Sequence, residues 1–261
     1  PLTPAPGDFW LILLDVGQGL SAIVRTHKHT LLYDTGPRLG PNNDAGSSVV
    51  LPYLRHFNIK KLDTLIVSHG DDDHSGGVKS VLNNIPVDAL LTSEVDRLSV
   101  KGACYCQKGQ EWTWDGVKFN LLHPSSKHKL KSNDASCVLK VGTPQHQILL
   151  PGDIHKKGEI DLLAHNSDLN AITLLVSPHH GSKTSSSLPF IQRLLPRYIL
   201  ISVGFNNRFK FPHRIVTNRY RNYNSKVYST AQEGTITVKF PSLKKELNIE
   251  SFHEKNKRFW H

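Results

Sequence analysis

Methionine is absent from the 261 residues, and cysteine occurs only three times. No apolar run approaches the roughly 20 residues needed to span a membrane, and no charged, apolar, then small-residue leader is present. With no Met and an opening of Pro-Leu-Thr-Pro, we expect a domain cut from a longer protein or a processed form, so the missing span excludes nothing about a parent protein. Cys104 and Cys106 lie one residue apart, a poor geometry for a mutual bridge, and Cys137 falls in an apolar strand pattern. All three are therefore expected to be packing residues rather than a disulfide framework or metal ligands. Acidic residues are scarce near the end of the chain. Residues 193–261 hold 14 Lys/Arg and 4 Asp/Glu, whereas residues 1–192 hold 18 of each, so the last quarter supplies the whole net charge of +10. Arg208, Lys210, Arg214, Arg219 and Arg221 are interleaved with Phe205, Phe209, Phe211, Tyr220 and Tyr223. Cations among aromatics suit a polyanion with stackable bases, and the one-sided charge favours that over an ordinary solvated helix face with a basic tail.

What is present has the composition and length of an ordinary globular domain with a sizeable core. Apolar β-branched runs at 9–14, 20–25, 29–34, 64–67, 89–92, 117–122, 136–141, 147–150, 172–177, 198–202, 227–230 and 235–240 read as strands. Helical spacing covers 49–57, 78–84, 156–164, 188–194 and 215–222, and residues 37–48 read as a loop. Strand clusters alternating with single helices in both halves predict buried sheets covered by helices, within one domain over 1–261.

The most informative stretch is Val-Ser-His-Gly-Asp-Asp-Asp-His-Ser-Gly-Gly at 67–77. His69, Asp71, Asp73 and His74 follow an apolar strand, and three successive aspartates cannot continue it because their charges repel. A tight loop leading to a helix near Gly76 is expected. Imidazoles and carboxylates at this spacing can converge on a divalent cation. A solvated Asp turn is the plainer reading, and the histidines on both sides weigh against it. Three later strands are also flanked by metal-capable residues: Asp134 lies just before 136–141, Asp153 follows 147–150, and His179 and His180 follow 172–177. Strand ends on one edge of a layered sheet meet in one cleft.

Asp-Val-Gly-Gln-Gly at 15–19, Asp34-Thr-Gly, Ser-His-x-Asp-x-Asp-His-x-Gly-Gly at 68–77, Leu-Pro-Gly-Asp at 150–153 and Pro-His-His-Gly-Ser at 178–182 resemble the metallo-β-lactamase superfamily. Within it, the chain most resembles the C-terminal domain of the ComEC competence family, whose members form the inner-membrane channel for DNA uptake. The resemblance extends to 201–204, Asn207-Arg208 and the 234–238 strand, covering nearly the whole chain. It implies a four-layer αββα sandwich of the α/β class with two divalent metal ions, Mn²⁺ or Zn²⁺, at one edge and no small organic cofactor. Asp73 and His74 would hold one ion with either His179 or His180, Asp153 would bridge, and His69 and Asp71 would hold the other. Asp71 stands where a second His is commonest, and Asn133 and Asp134 occupy the region of a further His. That pocket is thus richer in oxygen, which makes Mn²⁺ competitive with Zn²⁺. Relatives often carry aromatic-Gly-His-Pro where this chain has Phe209-Lys210-Phe211-Pro212-His213.

The resulting expectation is a nuclease that hydrolyses DNA phosphodiester bonds, degrading the strand that is not transported during natural transformation. Asp73, His180 and Lys183 are its candidate catalytic residues. Ser182, Lys183, Asn207, Arg208, Lys210, His213 and Arg214 are candidate DNA contacts. Single-stranded DNA and the rest of a membrane channel protein are the expected partners, on the extracytoplasmic side of the inner membrane. Two alternatives are a catalytically degenerate DNA-binding domain and a hydrolase of a small ester or lactam; fold alone does not choose among them.

Overall fold

A computed structural model describes residues 3–125, 130, 132–244 and 246–255. Among them lie two large sheets. The first runs, edge to edge, Asn248–Ser251, Ile236–Phe240, Phe9–Leu13, Ala22–Arg25, Thr30–Tyr33, Leu62–Val67, Val87–Thr92 and Ala103–Tyr105. The second runs Lys226–Ser229, Tyr198–Ile201, Leu174–Val176, Gln147–Leu150, Val138–Gly142, Val117–His123 and Glu111–Trp114.

Alternation along each strand explains the layering. Phe9, Leu11 and Leu13 share a core with Phe119, Leu121, Leu139, Ile148, Leu150 and Leu200 of the other sheet. Ile12, Ile23 and Leu32 point the opposite way, onto Leu54, Val78 and Val81 of the helices Leu51–His56 and Val78–Asn84. Leu149, Leu175 and Ile199 likewise pack on Leu162, Ile191 and Val216 of the helices Lys156–His165, Leu188–Leu194 and Arg214–Asn222. The parallel strand pairs need crossover connections, and helices supply them on the outer faces. The order helix, sheet, sheet, helix is the expected αββα sandwich.

Three local expectations are corrected. Cys106 and Cys137 form a disulfide, with Cα atoms 5.9 Å apart across 31 residues, while Cys104 is free and exposed. Reading adjacent cysteines as packing residues missed a partner supplied by the opposite sheet. The helix expected near Gly76 begins earlier, as a turn over Asp72–Ser75. Residues 37–48 contain a small hairpin, Arg38–Gly40 with Asn43–Asp44. The edge strands Ala103–Tyr105, Glu111–Trp114 and Asn248–Ser251 carry no strand signal in the sequence, because they are short and lack the β-branched runs that mark the others.

Candidate metal centre

The strand Leu62–Val67 delivers its chain to Ser68 and His69, where the loop turns immediately into a helical turn. His74 N–H and Ser75 N–H both donate to the Asp71 carbonyl, at 3.0 and 2.9 Å, which places Asp73 and His74 side by side. Gly19 supports this loop from outside: a Cβ there would lie 2.4 Å from the Asp73 carbonyl oxygen, so only glycine fits. On the second sheet, Gly152 adopts a left-handed φ of 58° beside Ser68 and Ser136, and swings Asp153 inward. Beyond Leu174–Val176, His179, His180 and Gly181 have φ of 49°, 54° and 80°. This run of left-handed residues sends the two neighbouring imidazoles to different places, a local strain of the kind that concentrates at functional sites.

Asp73, His74, Asp153 and His180 converge, with ligand atoms all within 4.8 Å of one another. His74 Nε2 lies 3.1 Å from Asp153 Oδ1 and 3.3 Å from His180 Nε2, and His180 Nε2 lies 3.2 Å from Asp73 Oδ2. The outer ring atoms are committed. His74 Nδ1–H donates to Asp34 Oδ2 at 2.7 Å, and His180 Nδ1–H donates to the Ser202 carbonyl at 2.9 Å. Both Nε2 lone pairs therefore face each other and two carboxylates, an arrangement that calls for a cation between them. The buried Nε2 of His69 has no hydrogen-bond partner, and its ring centroid is 4.3 Å from that of His74. These residues fit a divalent metal site.

Electrostatics agree. Burial opposes a charged His74, but Asp153 and Asp34 outweigh it and hold the imidazole well above its ordinary pKa. Burial would also raise the Asp153 carboxyl, yet His74 and His180 hold it well below the usual carboxylate range. A site that gathers this much opposite charge in a buried place is suited to exchanging protons for a metal.

The remaining expected residues are distributed differently. His180 joins the cluster and His179 does not: His179 Nε2 stays 3.9 Å from Asp153 Oδ2, and its Nδ1 bonds Thr184 Oγ1 at 3.0 Å. Asp71 sits 3.5 Å from His69 but is also clamped by Arg97 at 2.8 Å; His69 first and Arg97 second keep its carboxyl strongly acidic. Asp134 is not brought to the cluster. Its Oδ1 accepts the N–H groups of His155 and Gly158 at 3.0 and 2.8 Å. Ser182 is buried and bonded to Thr184, and Lys183 is exposed. Asn207 braces its own loop, donating to the Gly204 and Phe211 carbonyls at 3.0 and 2.7 Å. His213 caps the helix Arg214–Asn222 through its side chain, and Arg208, Lys210 and Arg214 are exposed. The interleaved pattern overcounted free groups: Tyr220 is buried against Ser177 and Ser186, and Arg219 donates to the Ser186 carbonyl.

Asp34 belongs to the Asp34-Thr-Gly motif, to which the sequence alone assigns no role. It is buried, and its carboxylate accepts from Ser68 N–H, Ser68 Oγ and His74 Nδ1 at 2.6, 2.7 and 2.7 Å. An aspartate directly after an apolar strand was its signal. Ser202 and Arg97 carried none, because their importance comes only from what the fold sets beside them.

Comparison with known proteins places the geometry in context. The family model described as "Metallo-beta-lactamase superfamily" matches residues 14–204. Uncharacterized protein YcaI of Escherichia coli (strain K12) is 35% identical over 237 residues, covering 91% of this chain and 31% of that protein. Competence protein ComA of Neisseria gonorrhoeae is 36% identical over 222 residues, covering 85% and 31% respectively. ComE operon protein 3 of Bacillus subtilis (strain 168) is 30% identical over 253 residues, covering 87% and 32%. The chain thus spans about a third of the length of these curated relatives. Among solved structures, the metallo-beta-lactamase fold protein YhfI from Bacillus subtilis aligns with a TM-score of 0.55 at 12% identity, over 85% of this chain and 96% of that one. That likeness shows the fold.

Proposed function

Because this chain belongs to the metallo-β-lactamase superfamily, and the matched region contains the whole Asp73, His74, Asp153 and His180 cluster, we propose that it is a metal-dependent nuclease acting on DNA. The observation that carries the substrate is position: the loop bearing Arg208 and Lys210 packs on the 178–182 turn, where His213 N–H donates to the Gly181 carbonyl at 2.9 Å. One loop of the basic final quarter thereby reaches the turn that carries His180. A small neutral ester or lactam has no use for such a field.

Asp73, His74, Asp153 and His180 would hold one ion. His69, with Asp71 and a share of Asp153, would hold a second, and its oxygen-rich set suits Mn²⁺ as well as Zn²⁺. A bound divalent cation supplies Lewis acidity and lowers the pKa of water in the site. Asp73 is the least buried member, with 36% of its side chain exposed against 3% for Asp153 and His180, so it is the group that meets and orients the attacking water. His180 is fixed by Ser202 as a ligand. His179, at the mouth, is free to contact the phosphate, and Ser182 and Lys183 flank the same turn. In the setting of the competence relatives, the role is degradation of the non-transported strand by a domain of a membrane channel protein, facing outward. The Cys106–Cys137 bridge supports that side, since disulfides persist in oxidising compartments. No helix among the described residues is long and apolar enough to cross a membrane.

Incubation of a labelled single strand with Mn²⁺ or Zn²⁺ tests the reading. Cleavage is expected from the natural chain and background only from Asp73→Ala; equal cleavage by both would sink the assignment. A second reading, a DNA-binding domain with a degenerate site, draws on the Arg97 clamp on Asp71 and the absence of Asp134 from the cluster. Salt-sensitive DNA binding without metal-stimulated cleavage would favour it.

A further inference from the structure

The loop between the strand Tyr198–Ile201 and the helix Arg214–Asn222 is braced, yet it carries aromatic rings out into solvent. Asn207 uses both ends of its amide within the loop, donating to Gly204 and Phe211 carbonyls and accepting from Phe211 N–H at 3.0 Å. On this fixed frame Phe205 is 85% exposed and Phe209 48% exposed. The rings form a series that leads to the metal centre. Arg208 lies over Phe209 at 4.8 Å, Phe209 stacks on Phe211 at 5.5 Å and 19°, and Phe211 meets His179 edge-on at 5.8 Å. Beneath the loop is a cleft of about 460 Å³ lined by Phe205, Asn207, Lys210, Phe211, Arg221 and Gln232. That size falls within the roughly 300–1,000 Å³ usual for small-ligand sites.

Cations alone would serve a duplex, whose charge is all on the outside. Exposed rings serve only a strand whose base faces are free, because in a duplex those faces are already stacked on their neighbours. We propose that residues 205–211 are the element that restricts this centre to single strands: Phe205 and Phe209 stack unpaired bases, while Lys210 and Arg221 take the adjoining phosphates. This rests on the reading above in taking DNA as the substrate, but it concerns binding rather than cleavage.

The test is binding by the whole chain in chelator, without added metal, to three labelled ligands of equal length. These are oligodeoxythymidylate, the same backbone lacking bases, and a blunt duplex. The natural chain should prefer the thymidylate. The double substitution Phe205→Ala with Phe209→Ala should weaken thymidylate binding about tenfold or more, while binding to the base-free strand changes less than about twofold. Lys210→Gln with Arg221→Gln should weaken all three. Unchanged thymidylate binding, or an equal loss on the base-free strand, would overturn the proposal, as would a natural chain that binds none of the three. If the natural chain discriminates among the ligands but cleaves nothing with Mn²⁺ or Zn²⁺, the nuclease reading fails and this one stands.

Discussion

His74 shows how a neighbour can orient a candidate ligand. Its Nδ1–H is committed to Asp34, which leaves the Nε2 lone pair aimed at Asp73, Asp153 and His180. Asp34 sits at φ of 60°, a backbone region that Asn also tolerates, so Asp34→Asn keeps the shape and removes the charge. Its expected effect is a loss of about 10- to 100-fold in metal affinity, read by chelator competition, with the thermal midpoint little changed. An affinity equal to that of the natural chain would show that Asp34 only supports the strand end. The alternation of His, Asp and His at 69–74 was plain in the sequence as a candidate site. Which of His179 and His180 belongs to it was not, since adjacent identical side chains are separated only by the left-handed turn that carries them.

Helices and turns repurpose some of the residues that looked chemical. Asp134 satisfies two N–H groups at the start of the helix Lys156–His165, an orphan-donor problem that every helix N-terminus has. Asp134→Ala is therefore expected to cost about 1 kcal/mol of stability and to leave the bound-metal count unchanged by elemental analysis; a lost ion would make Asp134 a ligand after all. Asp115 ties two turns from different sheets, accepting from Thr26 Oγ1 at 2.6 Å, Lys28 N–H at 2.8 Å and His29 Nδ1 at 3.0 Å. Burial works against the charge, but those bonds prevail and hold its carboxyl down at about 2, below an ordinary 3.8. A depressed carboxylate stabilises the fold above the unfolded value and loses that contribution as pH falls from 3.8 through about 2. Denaturant midpoints across that interval should fall less steeply for Asp115→Asn; identical slopes would remove Asp115 from the account. Strand positions were legible where β-branched runs alternate, and were missed at the edges, where short polar strands lack any period.

Across the whole molecule, two sheets each contribute part of the centre. Asp34, His69, Asp73 and His74 come from the first, and Asp153, His180 and Ser202 from the second, so the site exists only when the sandwich closes. The Cys106–Cys137 bridge pins those halves directly beside this seam: Cys137 N–H donates to the Ser68 carbonyl at 2.9 Å. Reduction of the intact chain, or Cys106→Ser, should lower stability by about 2–4 kcal/mol, measured as a shift in denaturant midpoint. A midpoint indifferent to reductant would mean the bridge is not formed in solution.

The primary structure alone determined the alternation of strands and helices, the metal-capable strand ends and the basic final quarter, because periodicity, residue chemistry and charge are local properties of a chain. Only the tertiary structure decided that Cys106 meets Cys137, that His180 is drawn in while His179 and Asp134 stay out, and that Tyr220 is buried while Phe205 is bare. Each of those depends on what a distant segment places opposite, and packing between sheets has no period that a single sequence displays.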